Sequence, residues 1–354
     1  MSRPLDDAAL YTRLDPSGMD AHIAGLPKQC ANAWEEALAL KLPARYRRAE
    51  RLVVAGMGGS AIGGELASDF FRTSDGPRIA VHRDYGLPPG VNRKTLVIAS
   101  SYSGNTEECL SAFKASQAKG AMLAAVTRDG TLKKLAVQKG IPVFPIAYDS
   151  QPRAAIGYSL MPVLAMAQSC GLSKSLAGQV REAVGVLENL AKELHPATPT
   201  EENRAKQVAE GIGEKTVIIV GAEHLTGTAR RWKAQIQENA KSWAYHDALP
   251  EFDHNSVEGL AFPIDAASRS IVIFLSSGRY REQTKRRIKA TIELLQKSGV
   301  ATEVVEASGK GPLANILMSV LFGDYVSYYL AMLRGVDPTP VPNLSWIKER
   351  LAQR

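Results

Sequence analysis

Two Gly/Ser/Thr-rich stretches in this chain each follow directly on a β-branched apolar run. Leu52-Val53-Val54-Ala55 leads into Gly56-Met57-Gly58-Gly59-Ser60, and Leu96-Val97-Ile98-Ala99 leads into Ser100-Ser101-Tyr102-Ser103-Gly104-Asn105-Thr106. A buried parallel strand that ends in such a loop and then starts a helix aims backbone N–H groups and small hydroxyls at one point, where the helix dipole favours an anion. The pattern Gly-x-x-x-x-Gly-Lys-Ser/Thr is absent, so Mg-dependent phosphoryl transfer has no anchor here. The expected ligand is a phosphorylated small molecule.

Each loop also has a plainer reading. Gly56-Met57-Gly58-Gly59-Ser60-Ala61 fits the Gly-x-Gly-x-x-Gly/Ala fingerprint of dinucleotide binding, with Asp84 near the end of the next strand as a ribose-binding acid. The second hydroxyl-rich loop argues against that, because a nicotinamide enzyme has no need of it. Ser103, Asn105 and Thr106 also fit an ordinary helix start, with Glu108 as the capping-box partner of Asn105. Gly58 and Gly59 fit a tight strand-to-helix turn without ligand.

Strand-like and helix-like segments alternate as β-α units: strand 52–55, helix 60–72, strands 79–82 and 96–100, helix 105–119, strand 122–126, helix 131–139, strand 143–146. This order predicts a doubly wound parallel α/β sheet. Helical stretches over 155–168 and 173–194 follow, until His195-Pro196-Ala197-Thr198-Pro199-Thr200 breaks the pattern. The same grammar then returns, with strands from 216 and 270 each running into a helix, so the chain reads as two copies of one α/β domain, 1–195 with an N-terminal helical extension and linker helices, and 196–354. The second copy lacks the double glycine and the Ser-Gly-Asn-Thr sequence, so its loops are expected to have lost or altered phosphate binding.

At 354 residues and 45% hydrophobic content the chain is an ordinary globular protein. Its net charge of +7 includes basic runs at 45–51 and 279–287, but 36 acidic residues are interspersed, which favours solvated helix faces over a nucleic-acid partner. Cys30, Cys109 and Cys170 show no metal-ligand spacing, and no His-x-Glu or His-Glu-x-x-His cluster occurs. Reduced thiols fit a cytoplasmic protein. The start of the chain shows no apolar signal core, and no segment is expected to reach the ~20 apolar residues of a membrane span.

The pairing of Gly-Met-Gly-Gly-Ser with Ser-Tyr-Ser-Gly-Asn-Thr-Glu-Glu in a duplicated α/β chain resembles the sugar isomerase (SIS) family. Two later stretches, Gln237-Glu238-Asn239-Ala240-Lys241 and Pro250-Glu251-Phe252-Asp253-His254-Asn255-Ser256, are similar to its bifunctional phosphoglucose/phosphomannose isomerase branch. Similarity extends to Asp337-Pro338-Thr339-Pro340-Val341, so four separated motifs agree in order. The resemblance implies two flavodoxin-like SIS domains and a homodimer that interconverts hexose 6-phosphates without a cofactor or metal. It assigns phosphate binding to Ser101, Ser103 and Thr106, and the sugar side of the site to Gly58, Gly59 and Ser60. Arg153 matches an arginine near the reacting carbons and Glu238 the catalytic base. His254 matches the ring-opening histidine, which reaches in from the partner subunit. Lys348 matches a lysine assisting at the ring oxygen, and Thr339 a small residue that leaves room for the mannose epimer.

The residue types suit that chemistry. Imidazole can shuttle a proton to open the ring near neutral pH, and a carboxylate can move the C2 proton to C1 through a cis-enediol whose charge a fixed cation stabilises. Periodicity alone reads differently. On a helix over 226–243, Trp232, Ile236, Ala240 and Trp243 share a face and Glu238 points nearly opposite, so catalysis requires that the polar face look into a cleft. His254 alone is a turn histidine and Arg153 a salt-bridging arginine. Two other readings remain open: a non-catalytic sugar-phosphate-binding module, and another SIS-type enzyme acting on hexulose or aminosugar phosphates.

Overall fold

A computed structural model describes residues 3–74 and 76–352. The chain opens with three helices, α1 (Ala8–Leu14), α2 (Met19–Ala24) and α3 (Leu26–Leu38). The first β-α series is β1 (Arg51–Ala55), α4 (Gly58–Arg72), β2 (Ile79–His82), β3 (Thr95–Ser100), α5 (Glu107–Ala118), β4 (Met122–Thr127), α6 (Gly130–Gln138) and β5 (Val143–Pro145). Helices α7 (Ile156–Ser169), α8 (Ala177–Glu193) and α9 (Arg204–Ile212) lead to the second series. That series comprises β6 (Thr216–Ala222), α10 (Thr226–Asn239), β7 (Ala244–Leu249), β8 (Ser270–Ser277), α11 (Glu282–Lys297), β9 (Ala301–Ala307), α12 (Pro312–Leu333) and α13 (Pro342–Ala352).

All strand pairs are parallel, in the orders β2-β1-β3-β4-β5 and β7-β6-β8-β9. The first is the flavodoxin-like order 2-1-3-4-5, which differs from the 3-2-1-4-5-6 order of classic dinucleotide-binding sheets. The second repeats the same winding with one strand fewer, so the duplication expected from the spacing of 52, 96, 216 and 270 is present. In each sheet the direction of winding reverses beside the first strand, between β1 and β3 and between β6 and β8. Ligands of open α/β sheets collect at such switch points. Strands β3 and β4 are buried along their full length, as a sheet covered on both faces requires.

Three expectations need correction. Helix α12 is 22 residues long and apolar enough to match a membrane span, contrary to the expected absence of such a segment; 94% of its most apolar window is buried inside the protein, so it is a core helix. A helix apolar all round needs cover on every side, and here α1, α2, α8, α9 and α10 supply it. Helix α10 ends at Asn239 rather than 243, because Lys241 adopts φ +54° and turns the chain into β7, leaving Trp243 75% exposed. The capping box at Asn105 does not form. Thr106 is the N-cap of α5, and Asn105 Oδ1 instead accepts from Thr131 N–H (2.9 Å) in the first turn of α6.

The segment before α1 is anchored on α9. Lys206, wholly buried on α9, donates to Leu5 O (2.7 Å) and Pro196 O (2.8 Å) and pairs with Asp6 (3.3 Å). A buried ammonium without such partners would be strongly destabilising. These contacts tie the segment before α1 and the 195–200 break to α9.

Candidate active site

The first two loops meet where the winding of the first sheet reverses. Tyr102 N–H donates to Ser60 Oγ (3.1 Å), and Ser159 Oγ on α7 donates to Gly59 O (3.0 Å), which locks the start of α4 against both the second loop and α7. Ser101 is buried; its hydroxyl shares a hydrogen bond with Thr106 Oγ1 (2.9 Å) and accepts from Gly104 N–H (3.1 Å). Because Thr106 spends its hydroxyl on Ser101, the N-cap side chain of α5 leaves it uncapped, and so does Met57, the N-cap of α4. Two helix starts therefore keep first-turn N–H groups uncapped beside one set of hydroxyls, the arrangement an anion requires. Ser103 stands exposed at the rim. Gly104 has φ +69°, and a Cβ there would lie 1.7 Å from Asp129 O, so only glycine lets this loop close on α6.

Gly59 connects this cradle to the rest of the site. A Cβ on Gly59 would stand 2.8 Å from Pro152 O and 3.1 Å from Arg153 N, so the missing side chain lets the 152–154 turn lie against the first turn of α4. Arg153, 3% exposed, then reaches across to the second series. Its Nε donates to Asn239 Oδ1 (2.7 Å), its Nη2 to Pro338 O (2.6 Å) and Thr339 O (2.9 Å), and its Nη1 pairs with Glu238 Oε2 at 3.4 Å. Burial pulls the guanidinium below its ordinary pKa and Glu238 opposes that pull. It remains a fixed cation, since arginine is not deprotonated in proteins.

A second buried network supports it. Arg231 pairs with Asp324 (2.6 Å) and donates to Arg153 O (3.0 Å), Gln235 Nε2 donates to Asp324 Oδ1 (2.9 Å), and Asn239 Nδ2 donates to Ser327 Oγ (2.9 Å). Glu238 is 29% exposed at its side chain, so the polar face of α10 looks into the junction between the two series instead of bulk water. Thr339 Oγ1 is buried with no hydrogen-bond partner among the described residues, next to the carbonyl that Arg153 holds.

The single chain assembles Gly58, Gly59, Ser60, Ser101, Thr106, Arg153, Glu238 and Thr339 through continuous contacts, and leaves His254 and Lys348 apart. Glu238 sits in the last turn of α10, before β7 begins, whereas His254 lies exposed in the 251–254 turn after β7 ends. Six strand residues at ~3.3 Å each place the two about 20 Å apart along the sheet. Asp253 pins this turn to α11 through Thr291 Oγ1 (2.8 Å) and Arg287 (3.2 Å). Lys348 lies on the exposed helix α13.

Sequence reasoning did not single out Asn239, Lys241 or Asp337 as site residues. Asn239 and Lys241 stood inside the Gln-Glu-Asn-Ala-Lys stretch, but only the helix end at Asn239 reveals that both turn toward Arg153 and the 337–339 turn. The second switch point carries a carboxylate. Glu223, at φ +46°, places Oε1 where Arg281 N–H (3.0 Å) and Thr284 Oγ1 (2.7 Å) donate to it at the start of α11. An internal carboxylate thus stands beside the start of α11.

Two flavodoxin-order sheets, a hydroxyl cradle at the first switch point and a carboxylate–guanidinium pair bridging the copies define a duplicated SIS-type protein. The family model described as the bacterial phospho-glucose isomerase C-terminal SIS domain matches residues 201–351. A bifunctional phosphoglucose/phosphomannose isomerase of Caldicellulosiruptor bescii is 38% identical over 94% of this chain and 98% of its own length. One of the same name from Thermoplasma acidophilum is 33% identical over 92% of this chain and all of its own length. A crystal structure of a hypothetical protein from Thermus thermophilus, 20% identical, superposes with a TM-score of 0.74 over 98% of this chain and 92% of its own, which shows the shared fold. This chain belongs to the bifunctional phosphoglucose/phosphomannose isomerase family.

Proposed function

We propose that this protein is a cytoplasmic aldose–ketose isomerase that interconverts glucose 6-phosphate and mannose 6-phosphate with fructose 6-phosphate, working as a homodimer. The observation that carries the reading is Arg153, a buried cation that lies against the cradle through Gly59 and against the base through Glu238. The phosphate sits on Ser101, Ser103 and Thr106 at the uncapped helix starts, with the sugar passing Gly58, Gly59 and Ser60 toward Arg153. Glu238 removes the C2 proton of the open chain and delivers it to C1. The electron pair goes to the carbonyl oxygen as the enediolate forms, and Arg153 stabilises that charge in a site where water competes little. Return of the proton to either face of C2 yields the glucose or the mannose epimer, and Thr339 provides room for both.

His254 opens the ring of the substrate held by the neighbouring subunit, and Lys348 assists at the ring oxygen. Two features support the dimer. His254 is about 20 Å along the sheet from its own Glu238. Exposed apolar side chains also mark the edge strand β7 and the segment after it: Trp243 (75%) and Tyr245 (52%) at the start of β7, and Phe262 (77%) and Ile264 (86%) after the His254 turn. Exposed aromatic surface next to an unpaired strand edge is characteristic of a buried interface. The test is a substrate panel: turnover of glucose 6-phosphate and mannose 6-phosphate, with glucosamine 6-phosphate inert, is expected. Turnover of the amino sugar alone would overturn the substrate assignment.

A further inference from the structure

We propose that Lys241 is a positioning residue of this site, holding the last turn of α10, which carries Glu238, and the 337–339 turn, which carries Thr339, in one fixed arrangement around Arg153. This role rests on the isomerase reading above.

Three observations converge on it. First, Lys241 occupies the left-handed region at φ +54°, in the position just past the end of α10 where glycine is the usual residue. A non-glycine side chain there is strained, and such strain persists where its surroundings impose it. Second, that conformation folds the ammonium back so that Nζ donates to Glu238 O, the backbone carbonyl of the proposed base, and to Pro338 O (3.2 Å). Third, Pro338 O is the same oxygen that takes the Arg153 Nη2 bond at 2.6 Å. One carbonyl therefore gathers both cations, from the turn after β5 and from the end of α10, while its neighbour Thr339 O takes a further bond from Arg153 (2.9 Å).

The charged groups that face the ammonium come from every element packed there. Arg153 of the 152–154 turn repels it, and Asp337 of the turn after α12 and Glu238 of α10 attract it. Burial, with Arg153 adding to it, lowers the lysine to about 8. Its charge therefore changes in a range where an isomerase can be assayed. Protonated, Lys241 holds both carbonyls; deprotonated, it weakens that tie.

The experiment uses the full-length protein and compares wild type with Lys241→Gly and Lys241→Arg. Glycine relieves the left-handed strain, so Lys241→Gly is expected to unfold no earlier than wild type in urea. Its kcat should fall by about tenfold with KM little changed, less than the roughly 10²–10³ that losing a donor aimed at a developing oxyanion costs, because Lys241 acts through its neighbours. In wild type the pH profile of kcat/KM should fall above about 8, the lowered value of Lys241. Lys241→Arg should keep activity above that limb, since guanidinium stays charged. A Lys241→Gly protein that is stable and retains wild-type kcat and pH profile would overturn the proposal and leave Lys241 a helix cap. A folded wild type that turns over neither hexose 6-phosphate would overturn the isomerase reading, and this role with it.

Discussion

Replacing Arg153 by lysine keeps the charge and removes the fork, so it separates geometry from electrostatics. The guanidinium reaches three acceptors in different directions, Asn239 Oδ1 at 2.7 Å, Pro338 O at 2.6 Å and Thr339 O at 2.9 Å, and faces Glu238 at 3.4 Å. An ammonium is a point charge on an unforked stem and cannot serve the Asn239 and 338–339 directions together. With Arg153 only 3% exposed, water does not readily replace the lost donors. Two buried acceptors left unsatisfied at ~1–3 kcal/mol each place the destabilisation of Arg153→Lys at about 2–6 kcal/mol. A fixed cation moved from its place at the developing enediolate lowers kcat by roughly 10²–10³. The assay is urea unfolding followed by circular dichroism, with isomerase kinetics at a denaturant-free temperature where the variant is folded. A variant within about 0.5 kcal/mol of wild type, the range of an uninvolved surface change, with undiminished kcat would refute the claim that the guanidinium fork organises this site.

Other consequences can be checked separately. Ser101→Ala and Thr106→Val remove the paired hydroxyls of the cradle and are predicted to raise KM for hexose 6-phosphates by about tenfold, with inorganic phosphate inhibition weakened in parallel, since one hydrogen bond to a charged group is worth ~1.5–3 kcal/mol. Mixing inactive Glu238→Gln and His254→Asn proteins through co-refolding should restore activity that neither has alone, because a mixed C2 dimer pairs one intact base with one intact histidine; no recovery would place His254 outside the neighbour's site. Burial holds the Asp69 carboxyl up at about 7 against its ordinary 3.8, opposed by the Gly227 N–H bond and Arg72. Folded Asp69 therefore keeps a proton that the unfolded chain has lost across that window, so its burial costs nothing at lower pH and most above pH 7. Asp69→Asn, which keeps an acceptor for Gly227, is accordingly predicted to gain stability over wild type at pH 8 and not at pH 4, as read by thermal unfolding at both values.

Local pattern made the frame of this protein legible. β-branched runs at 52 and 96 followed by Gly/Ser/Thr loops mark buried strands entering helices, and their return at 216 and 270 marks the duplication. Strand β7 was harder to read, because it is an edge strand with the burial pattern of Ala244–Leu249 mixed and Tyr245 exposed. Helix α12 is apolar on all faces, so it offers no 3.6-residue contrast to periodicity. In the site, the hydroxyls were visible as a cluster, but the pairing of Arg153 with Glu238 joins residues 85 apart. It depends on Gly59 admitting the 152–154 turn, a contact that no local rule reports. Glu238 looks solvated on a helical wheel because the wheel cannot know that its polar face meets the other copy. Lys241 was passed over for a related reason: a lysine in the left-handed region goes against residue preference, and its side-chain bonds appear only once α10 stops at Asn239.

The central claim is that Glu238 moves the proton between C1 and C2 of a hexose 6-phosphate. The most direct test is a coupled assay of fructose 6-phosphate formation from glucose 6-phosphate and from mannose 6-phosphate, with EDTA present, on wild type and Glu238→Gln. Chelator-resistant turnover of both sugars by wild type, with Glu238→Gln folded and losing it, is the predicted result. A folded Glu238→Gln protein that isomerises either sugar at the wild-type rate would contradict the account.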